Sequence, residues 1–227
     1  MAQLPLDLGH RPALGGADFL VAPSNAAAVA WLDRWPDWPG PALVLVGPAG
    51  SGKTHLAHVF AARAGAIRLG AADVTVSDLC DRLGAAHAAV LDRAEAAEEE
   101  AFLHLYNMLA ERGGHLLAIA RQAPARWDIG LADLRSRLRA APVASIAPPD
   151  DALLSAVLVK LFADRQVQVG EDVVAYLLAR LERSFAAAQR AVAALDRAAL
   201  AAQRRVTVPL VRAVLDEASG RDAPGEG

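Results

Sequence analysis

The chain has 227 residues, of which 54% are hydrophobic and 22% are charged, so it can bury a core without disulfides or metal ions. It carries 23 basic and 26 acidic residues, and the net charge of −3 excludes a general attraction to nucleic acid or to acidic membranes. The lone cysteine, Cys80, excludes an intramolecular disulfide, and we expect it to be a small packed hydrophobic residue. No stretch of about 18 apolar residues is present, so we expect a cytoplasmic protein without membrane contact.

The N-terminal segment is predicted to lack regular structure. Residues 1–16 contain two prolines and three glycines around one short apolar run, which is typical of a flexible tail. A first helix is predicted over Ser24–Trp35, with Ser24 as its N-cap, because two prolines and a glycine follow and end it.

Short apolar runs alternate with helical patterns over the next part of the chain. Ala42–Val46 is an uninterrupted apolar run between proline and glycine, which indicates a strand buried on both faces of a parallel sheet. A helix is predicted from Lys53, and another over Glu98–Arg112, where apolar residues recur at helical spacing. Further strands are predicted at Ala66–Leu69, Ala88–Leu91, His115–Ala120 and Val143–Ile146. This alternation predicts an α/β core with a parallel sheet over residues 17–147.

The chain changes character after Pro148 and Pro149, where no strand pattern remains. Helices are predicted at Asp150–Arg165, Glu171–Leu181, Ser184–Arg204 and Thr207–Ala218. We therefore expect a separate all-α subdomain over residues 148–218 and a disordered tail at 219–227. A basic stripe along one helix face is predicted from arginines that recur every seven residues, and it is either a solvated face, which we favour, or a surface for an acidic partner. These arginines are Arg183, Arg190, Arg197 and Arg204.

Residues 47–54 form the most specific motif of the chain. They match the pattern G-x-x-x-x-G-K-[ST] between a predicted strand and a predicted helix. The glycines let backbone N–H groups turn toward phosphate oxygens, Lys53 can reach the β and γ phosphates, and Thr54 can ligate Mg²⁺. The sequence therefore predicts a site for ADP or ATP with Mg²⁺. Its residues would be Pro48, Ala49, Gly50, Ser51, Gly52, Lys53, Thr54 and His55.

An acidic residue that holds the Mg²⁺ is expected at the end of a neighbouring strand. Asp92 follows the apolar run Ala88–Leu91 and fits this role. The next residue, Arg93, is a cation and cannot act as the base that orients an attacking water. Four nearby glutamates could substitute for that base, although we favour a solvated start of the next helix for the whole run. They are Glu95, Glu98, Glu99 and Glu100.

The order of these features resembles the DnaA/Hda family of AAA+ proteins. The resemblance extends over residues 3–218, and its most specific parts are Phe102–Asn107 and the segment Asp133–Leu138. It implies an AAA+ P-loop core with a parallel sheet flanked by helices, followed by an all-α lid.

The resemblance also implies roles for individual residues of the core. Arg137 would be an arginine finger that reaches a nucleotide bound by a neighbouring AAA+ subunit, for which a permanently charged guanidinium is suited. The alternative is a surface arginine on an arginine-rich helix. Leu20 and Val21 would lie against the adenine base.

The N-terminal tail, and three positions at which the chain differs from the family pattern, are relevant to function. By resemblance, an extended segment would dock on the DNA polymerase III sliding clamp, its beta subunit, through a glutamine and spaced aliphatic side chains. These residues are Gln3, Leu4, Leu6 and Leu8. The chain departs from the family at Arg93, at the polar sensor position near Ile119–Arg121, and at Ala186, where the lid's sensor arginine is expected.

Two functions from different classes are compatible with these features. We favour a nucleotide-bound regulator of replication initiation that binds the clamp and stimulates ATP hydrolysis by DnaA, because the three departures weaken the chain's own hydrolysis. ADP would then be the more natural resident ligand. The alternative is a self-contained AAA+ ATPase such as a helicase loader or remodelling factor. Only a few residues follow Ala218, so direct sequence-specific DNA binding is not expected, and the resemblance leaves a homodimer open.

Overall fold

A five-stranded parallel sheet with the strand order β2-β3-β4-β1-β5 organises the N-terminal part of the molecule. The computed structural model describes residues 21–221. The strands are β1 (Ala42–Val46), β2 (Ile67–Gly70), β3 (Ala88–Asp92), β4 (His115–Ala120) and β5 (Val143–Ser145). The helices that flank them are α1 (Ala26–Asp33), α2 (Lys53–Ala64), α3 (Leu79–Leu83), α4 (Glu99–Glu111) and α5 (Ala132–Ala140).

The central strand β1 shows why the sheet is covered on both faces. All five of its side chains are buried, and they alternate between two hydrophobic clusters. Val44 belongs to the cluster that contains Phe102 of α4, whereas Leu45 belongs to the cluster that contains Phe60 of α2. The period of two therefore places helices on both faces, and the predicted α/β fold with a parallel sheet is confirmed.

The strand order brings the carboxyl ends of β1, β3 and β4 to one edge of the sheet. β4 lies between β3 and β1, with Leu91 opposite Ala118 and Val46 opposite Ala120. The loop after β1, the end of β3 at Asp92 and the residue after β4, Arg121, therefore meet at this edge, which is where open α/β sheets bind ligands.

The first helix differs from its prediction at both ends. α1 begins at Ala26, and Asn25 rather than Ser24 is the residue before it. The Oδ1 atom of Asn25 accepts a hydrogen bond of 2.9 Å from the backbone N–H of Ala22, so this side chain closes the preceding turn. The helix ends at Asp33, two residues before the predicted Trp35.

Cys80 is exposed, and the expectation that it packs in the core is wrong. It lies on α3, a short helix that the sequence patterns did not predict. Leu79 and Leu83, four residues apart on this helix, take the inward positions, which turns Cys80 toward solvent.

The chain divides into two units between Ala147 and Pro148, and the second unit consists of helices in the part that the structure describes. These are α6 (Asp151–Ala163), α7 (Glu171–Leu178), α8 (Phe185–Ala202) and α9 (Val208–Arg221). They enclose a separate core that includes Leu158, Phe162, Leu177 and Leu195. The Oδ1 of Asp150 caps α6 at 2.7 Å from Leu153 N, and the Oγ of Ser184 caps α8 at 3.1 Å from Ala187 N.

The predicted basic stripe is wrong, because only Arg190 and Arg197 lie on α8. Arg183 precedes the cap of the helix and forms an ion pair of 3.0 Å with Asp151. Arg204 follows the end of the helix, where Gln203 adopts a left-handed conformation with φ of 49°. A seven-residue spacing defines a line only within one continuous helix, and here two of the four residues lie outside it.

Among residues 21–221, no helix combines the length and the apolar character that crossing a membrane requires.

Candidate functional site

The loop between β1 and α2 is shaped by glycines that other residues could not replace. Gly50 and Gly52 have φ values of 70° and 95°, and Gly52 is the N-cap of α2. At Gly47, an added Cβ would come within 2.6 Å of the carbonyl oxygen of Ile146 and 2.9 Å of Ser51 Oγ. The loop thus depends on backbone conformations and a close approach that only glycine permits, and it presents the start of α2 at the sheet edge.

Lys53 folds its side chain back over this loop. Its Nζ donates hydrogen bonds of 2.6 Å to the carbonyl oxygens of Gly47 and Pro48. Burial lowers the pKa of the ammonium below its usual 10.5, while the charges of Asp92 and Glu95 act in the opposite direction. The ammonium is therefore a positive charge inside the concave side of the loop, with two carboxylates near it.

Two observations show that the loop suits an anionic ligand. Ser51 is buried, with 2% of its surface exposed, and within the described part of the chain its Oγ has no hydrogen-bond partner. No side chain caps the N-terminus of α2, so the positive end of a 12-residue helix is not compensated by the protein there. A buried hydroxyl, a helix N-terminus and an ammonium group together fit phosphate oxygens.

Thr54 and Asp92, predicted as the Mg²⁺ residues, are brought together in one cavity of about 390 Å³. Thr54 is exposed at the first turn of α2, and Asp92 ends β3. His58, Arg68 and Asp73 line the same cavity. Within residues 21–221 no group of three or more His, Cys, Asp and Glu side chains is arranged to hold a metal ion. An Mg²⁺ ion here would need phosphate oxygens as further ligands.

Glu95 and Arg121 join the site, although the sequence distinguished Glu95 only as one of four glutamates and Arg121 only as a residue near the expected sensor position. A short 3₁₀ turn at Ala94–Ala96 follows Asp92 and returns Glu95 toward the sheet edge. There Glu95 Oε1 accepts a hydrogen bond of 3.0 Å from the backbone N–H of Arg121. The charge of Glu95 raises the pKa of Lys53 and that of Arg121 lowers it, while burial has the larger, lowering effect. Glu95 is exposed, as the prediction of a solvated run requires, but it lies on the 3₁₀ turn and not at the start of α4.

The carboxylate of Glu99 also forms hydrogen bonds within the protein. Its carboxylate accepts hydrogen bonds of 2.9 Å from Gly130 N and 2.6 Å from Leu131 N. These N–H groups, with Gly130 the larger contributor, lower the pKa of Glu99. Glu98 and Glu100 are exposed at the start of α4, as predicted.

Arg137 lies on α5, with 36% of its side chain exposed. Its Nε and Nη2 donate to the two carboxylate oxygens of Asp133 at 3.2 and 3.3 Å. Its Cζ lies 5.3 Å from the centre of the Tyr106 ring. Arg135 and Arg139 on the same helix are more exposed. Arg137 is therefore less exposed than its neighbours and contacts two side chains, Asp133 and Tyr106.

Five of the remaining predicted residues lie outside the described range: Gln3, Leu4, Leu6, Leu8 and Leu20. Val21 is half-buried and packs against the cluster that contains Phe60. His55, predicted to bind nucleotide, is exposed on α2, as is His58, and Ala186 lies on α8.

The comparisons with known proteins agree with this architecture. Residues 151–215 match the family model of the Hda lid domain. Domain III of the replication initiation protein DnaA from Thermotoga maritima shares the fold, with a TM-score of 0.75 over 88% of this chain and 94% of that chain at 17% identity. Residues 151–215 therefore resemble the lid domain of Hda, and the chain shares the AAA+ fold of DnaA domain III.

Two further structures show how widely this AAA+ fold is shared. AMPPCP-bound DnaA from Aquifex aeolicus matches with a TM-score of 0.66 at 17% identity, over 86% of this chain and 66% of that chain. The Thermotoga maritima RuvB Holliday junction branch migration motor matches with a TM-score of 0.67 at 17% identity, over 85% and 66%. The chain therefore spans slightly less than two thirds of these two longer proteins.

Proposed function

We propose that this AAA+ protein binds a nucleotide and regulates replication initiation by stimulating ATP hydrolysis by DnaA through Arg137. The observation that carries the proposal is the arginine itself. It lies on a helix of the core and is partly exposed; a carboxylate pairs with one edge of its guanidinium, whose carbon lies over an aromatic ring. An ordered guanidinium of this kind suits phosphate oxygens of a nucleotide bound by another protein.

The phosphate loop supports nucleotide binding by the chain itself. Lys53, Thr54 and Asp92 would hold the phosphates of ADP or ATP with Mg²⁺, and the hydroxyl of Ser51 would supply a further contact. The Aquifex aeolicus relative with a similar fold is described as AMPPCP-bound, which favours the same class of ligand here. The negative charge of a nucleotide bound by this chain would order the phosphate loop. The ATP hydrolysis that Arg137 would stimulate takes place on the nucleotide bound by the partner.

Nucleotide binding is tested with the two lysines of the sequence. Lys53→Ala is expected to weaken the binding of a fluorescent ADP by at least tenfold, because it removes the ammonium from the loop. Lys160→Ala is the matched control, since Lys160 lies on α6 in an exposed pair with Asp164 and should leave affinity unchanged. Mass spectrometry of the ligand that copurifies with the protein would distinguish ADP from ATP. Equal affinity of the two variants would contradict the proposed site.

The role of Arg137 is tested by the rate at which ATP-loaded DnaA hydrolyses its nucleotide. Arg137→Ala is expected to remove the stimulation, because no other group would replace the guanidinium at the partner's phosphates. Arg139→Ala, two residues along α5 and exposed, is the matched control and should keep it. Full stimulation by Arg137→Ala would overturn the proposal.

Clamp binding is a separate part of the proposal and rests on residues outside the described range. Changing Gln3 and Leu6 to Ala is expected to abolish capture of the protein by immobilised DNA polymerase III sliding clamp, while ADP affinity stays unchanged. Loss of both properties would show that the segment supports the fold instead. Retained capture would show that other residues of the protein bind the clamp.

A self-contained ATPase is the second candidate, and Glu95 is the observation that favours it. This carboxylate lies at the sheet edge close to Lys53 and could orient a water in place of an acid at position 93. Steady-state ATP turnover by the purified protein separates the two candidates. Turnover of about one per second without DnaA, lost in Glu95→Gln, would favour this ATPase over the regulator.

A further inference from the structure

One face of α4 contacts the segment that leads into α5 at three points. Glu99, Phe102 and Tyr106 are spaced three and four residues apart, so their side chains lie in a row on the same side of the helix. Each of the three contacts a different part of residues 127–137. Helix α4 therefore supports the helix that carries Arg137 along much of its own length.

The first contact fixes the beginning of α5. Leu131 is the N-cap residue of this helix and has no side-chain oxygen with which to cap it. The carboxylate of Glu99 accepts the N–H groups of Gly130 and Leu131 instead, at 2.9 and 2.6 Å. A negative charge at this position also favours the positive end of α5, so a residue about thirty positions earlier acts as its cap.

The second contact holds the loop before α5. The rings of Phe102 and Trp127 lie 6.5 Å apart, and Trp127 Nε1 donates to the carbonyl of Gln122 at 2.8 Å. Arg135 Nη1 donates to the carbonyl of Ile129 at 3.1 Å, which ties the helix to its own leading loop. The backbone that carries Arg137 is thus fixed at several points before the arginine is reached.

The third contact concerns the guanidinium itself. The ion pair with Asp133 uses the edge formed by Nε and Nη2, and the guanidinium carbon Cζ lies over the ring of Tyr106. Because a guanidinium is planar, holding one edge and keeping its carbon over a ring restricts the direction of the remaining edge, formed by Nη1 and Nη2. Tyr106 is buried, with 8% of its surface exposed, so its ring is a rigid support.

We propose that Tyr106 and Asp133 are positioning residues, which hold the guanidinium of Arg137 in one orientation for the phosphates of a nucleotide bound by a partner protein. The proposal rests on the function proposed above for Arg137. Neither residue contacts that nucleotide. They reduce the number of orientations that the arginine must lose when it meets the phosphates, so they raise the rate of the stimulated step and leave the affinity between the proteins unchanged.

The test measures stimulated hydrolysis by ATP-loaded DnaA as a function of the concentration of this protein. Asp133→Asn keeps the shape of the side chain and removes its charge, and Tyr106→Leu removes the ring. Each is expected to lower the maximal rate by about two- to five-fold, with an unchanged half-saturating concentration. Tyr106→Phe keeps the ring and is expected to lose less than Tyr106→Leu. In an Arg137→Ala background, neither change should have any further effect.

A merely structural role gives a different result. Tyr106→Leu then lowers the melting temperature and raises the half-saturating concentration, and Asp133→Asn, at an exposed position, has no effect on the maximal rate. An equal loss for Tyr106→Phe and Tyr106→Leu would also overturn the role of the ring.

Nuclear magnetic resonance keeps this proposal testable if the function proposed for Arg137 fails. In protein with ¹⁵N-labelled arginine, the Nε–H group of Arg137 is expected to be ordered, and to become mobile in Asp133→Asn and Tyr106→Leu. Full stimulation by Arg137→Ala overturns the proposed function alone. A mobile Nε–H group in the unsubstituted protein, or one that stays ordered in both variants, overturns the positioning roles.

Discussion

The phosphate loop and the surface around Arg137 are built in opposite ways. The loop uses consecutive residues, 47–54, and its shape follows from backbone conformations at glycines and from one helix that starts there. The surface around Arg137 uses Glu99, Tyr106 and Asp133, which come from two helices and meet only through packing. A local site is specified by residue type and order, whereas a dispersed site is specified by how helices pack.

Because the phosphate loop depends on its glycines, we expect it to be sensitive to a single added methyl group. In Gly47→Ala the new Cβ would lie 2.6 Å from the carbonyl oxygen of Ile146, and that backbone cannot move without disturbing β5. We expect the free energy of unfolding to fall by about 1–3 kcal/mol and nucleotide binding to be lost. Gly40→Ala is the control, because nothing lies within 4 Å of a Cβ there. Urea unfolding and ADP titration of both variants check this, and equal stability of the two would contradict it.

The Arg137 surface is expected to depend on acid in a way that the loop does not. The pKa of Glu99 lies below its usual 4.5 because Gly130 N and Leu131 N donate to the ionised carboxylate. The folded protein therefore binds this proton less tightly than the unfolded chain. The stabilisation is complete above about pH 4.5 and is lost as the pH falls through the lower pKa of the folded state.

The variant Glu99→Gln is expected to remove this part of the acid dependence and to loosen the start of α5. Glu100→Gln, its exposed neighbour on α4, is the control and should follow the unsubstituted protein. Urea unfolding between pH 3 and pH 6 measures the effect, and hydrogen exchange at Leu131 N reports the loss of the cap directly. Identical pH curves for the two variants would show that the carboxylate does not cap α5.

The smallest expected effect on stability comes from His115, which lies in neither the phosphate loop nor the surface around Arg137. Its pH dependence has to be distinguished from that of Glu99. Burial among Trp35 and Trp38 lowers the pKa of His115 below its usual 6.5, although a bond to the backbone of Pro36 acts in the opposite direction. Here the unfolded chain binds the proton more tightly, so stability is full above about pH 6.5 and decreases as the pH falls below it. His115→Gln is expected to flatten the stability curve between pH 5 and pH 6.5, whereas His104→Gln on α4 should not.

Sequence patterns located most strands and helices because burial follows simple periods. β1 and β4 have the predicted bounds, and α2 begins at the predicted Lys53. The prediction failed where a side chain made an unexpected local bond, as Asn25 does before α1, or where one residue in a left-handed conformation ended a helix, as Gln203 does after α8. Such features depend on single residues and leave no periodic signal.

The sequence predicted the phosphate loop and the Mg²⁺ residues of the candidate site, but it did not single out Glu95. The loop, Thr54 and Asp92 follow from a motif and from the position of an acid after a strand, and the sheet brings them together. Glu95 was considered only as one of four glutamates, and nothing in its spacing distinguished it from Glu98 or Glu100. A 3₁₀ turn selects it by returning it to the end of β4.

The sequence by itself determined the alternation of strand and helix, the glycine-dependent phosphate loop and the presence of Arg137 in an arginine-rich segment, because local conformation and hydrophobic period are encoded in adjacent residues. Only the tertiary structure decided which carboxylates contact the phosphate-loop edge of the sheet and the helix that carries Arg137. Glu95 meets Arg121, and Glu99 caps α5, at sequence separations of 26 to 32 residues. Such pairs form because the parallel strands and α4 bring residues that are distant in sequence close together in space. Sequence patterns report only on neighbouring residues, so they do not predict these contacts.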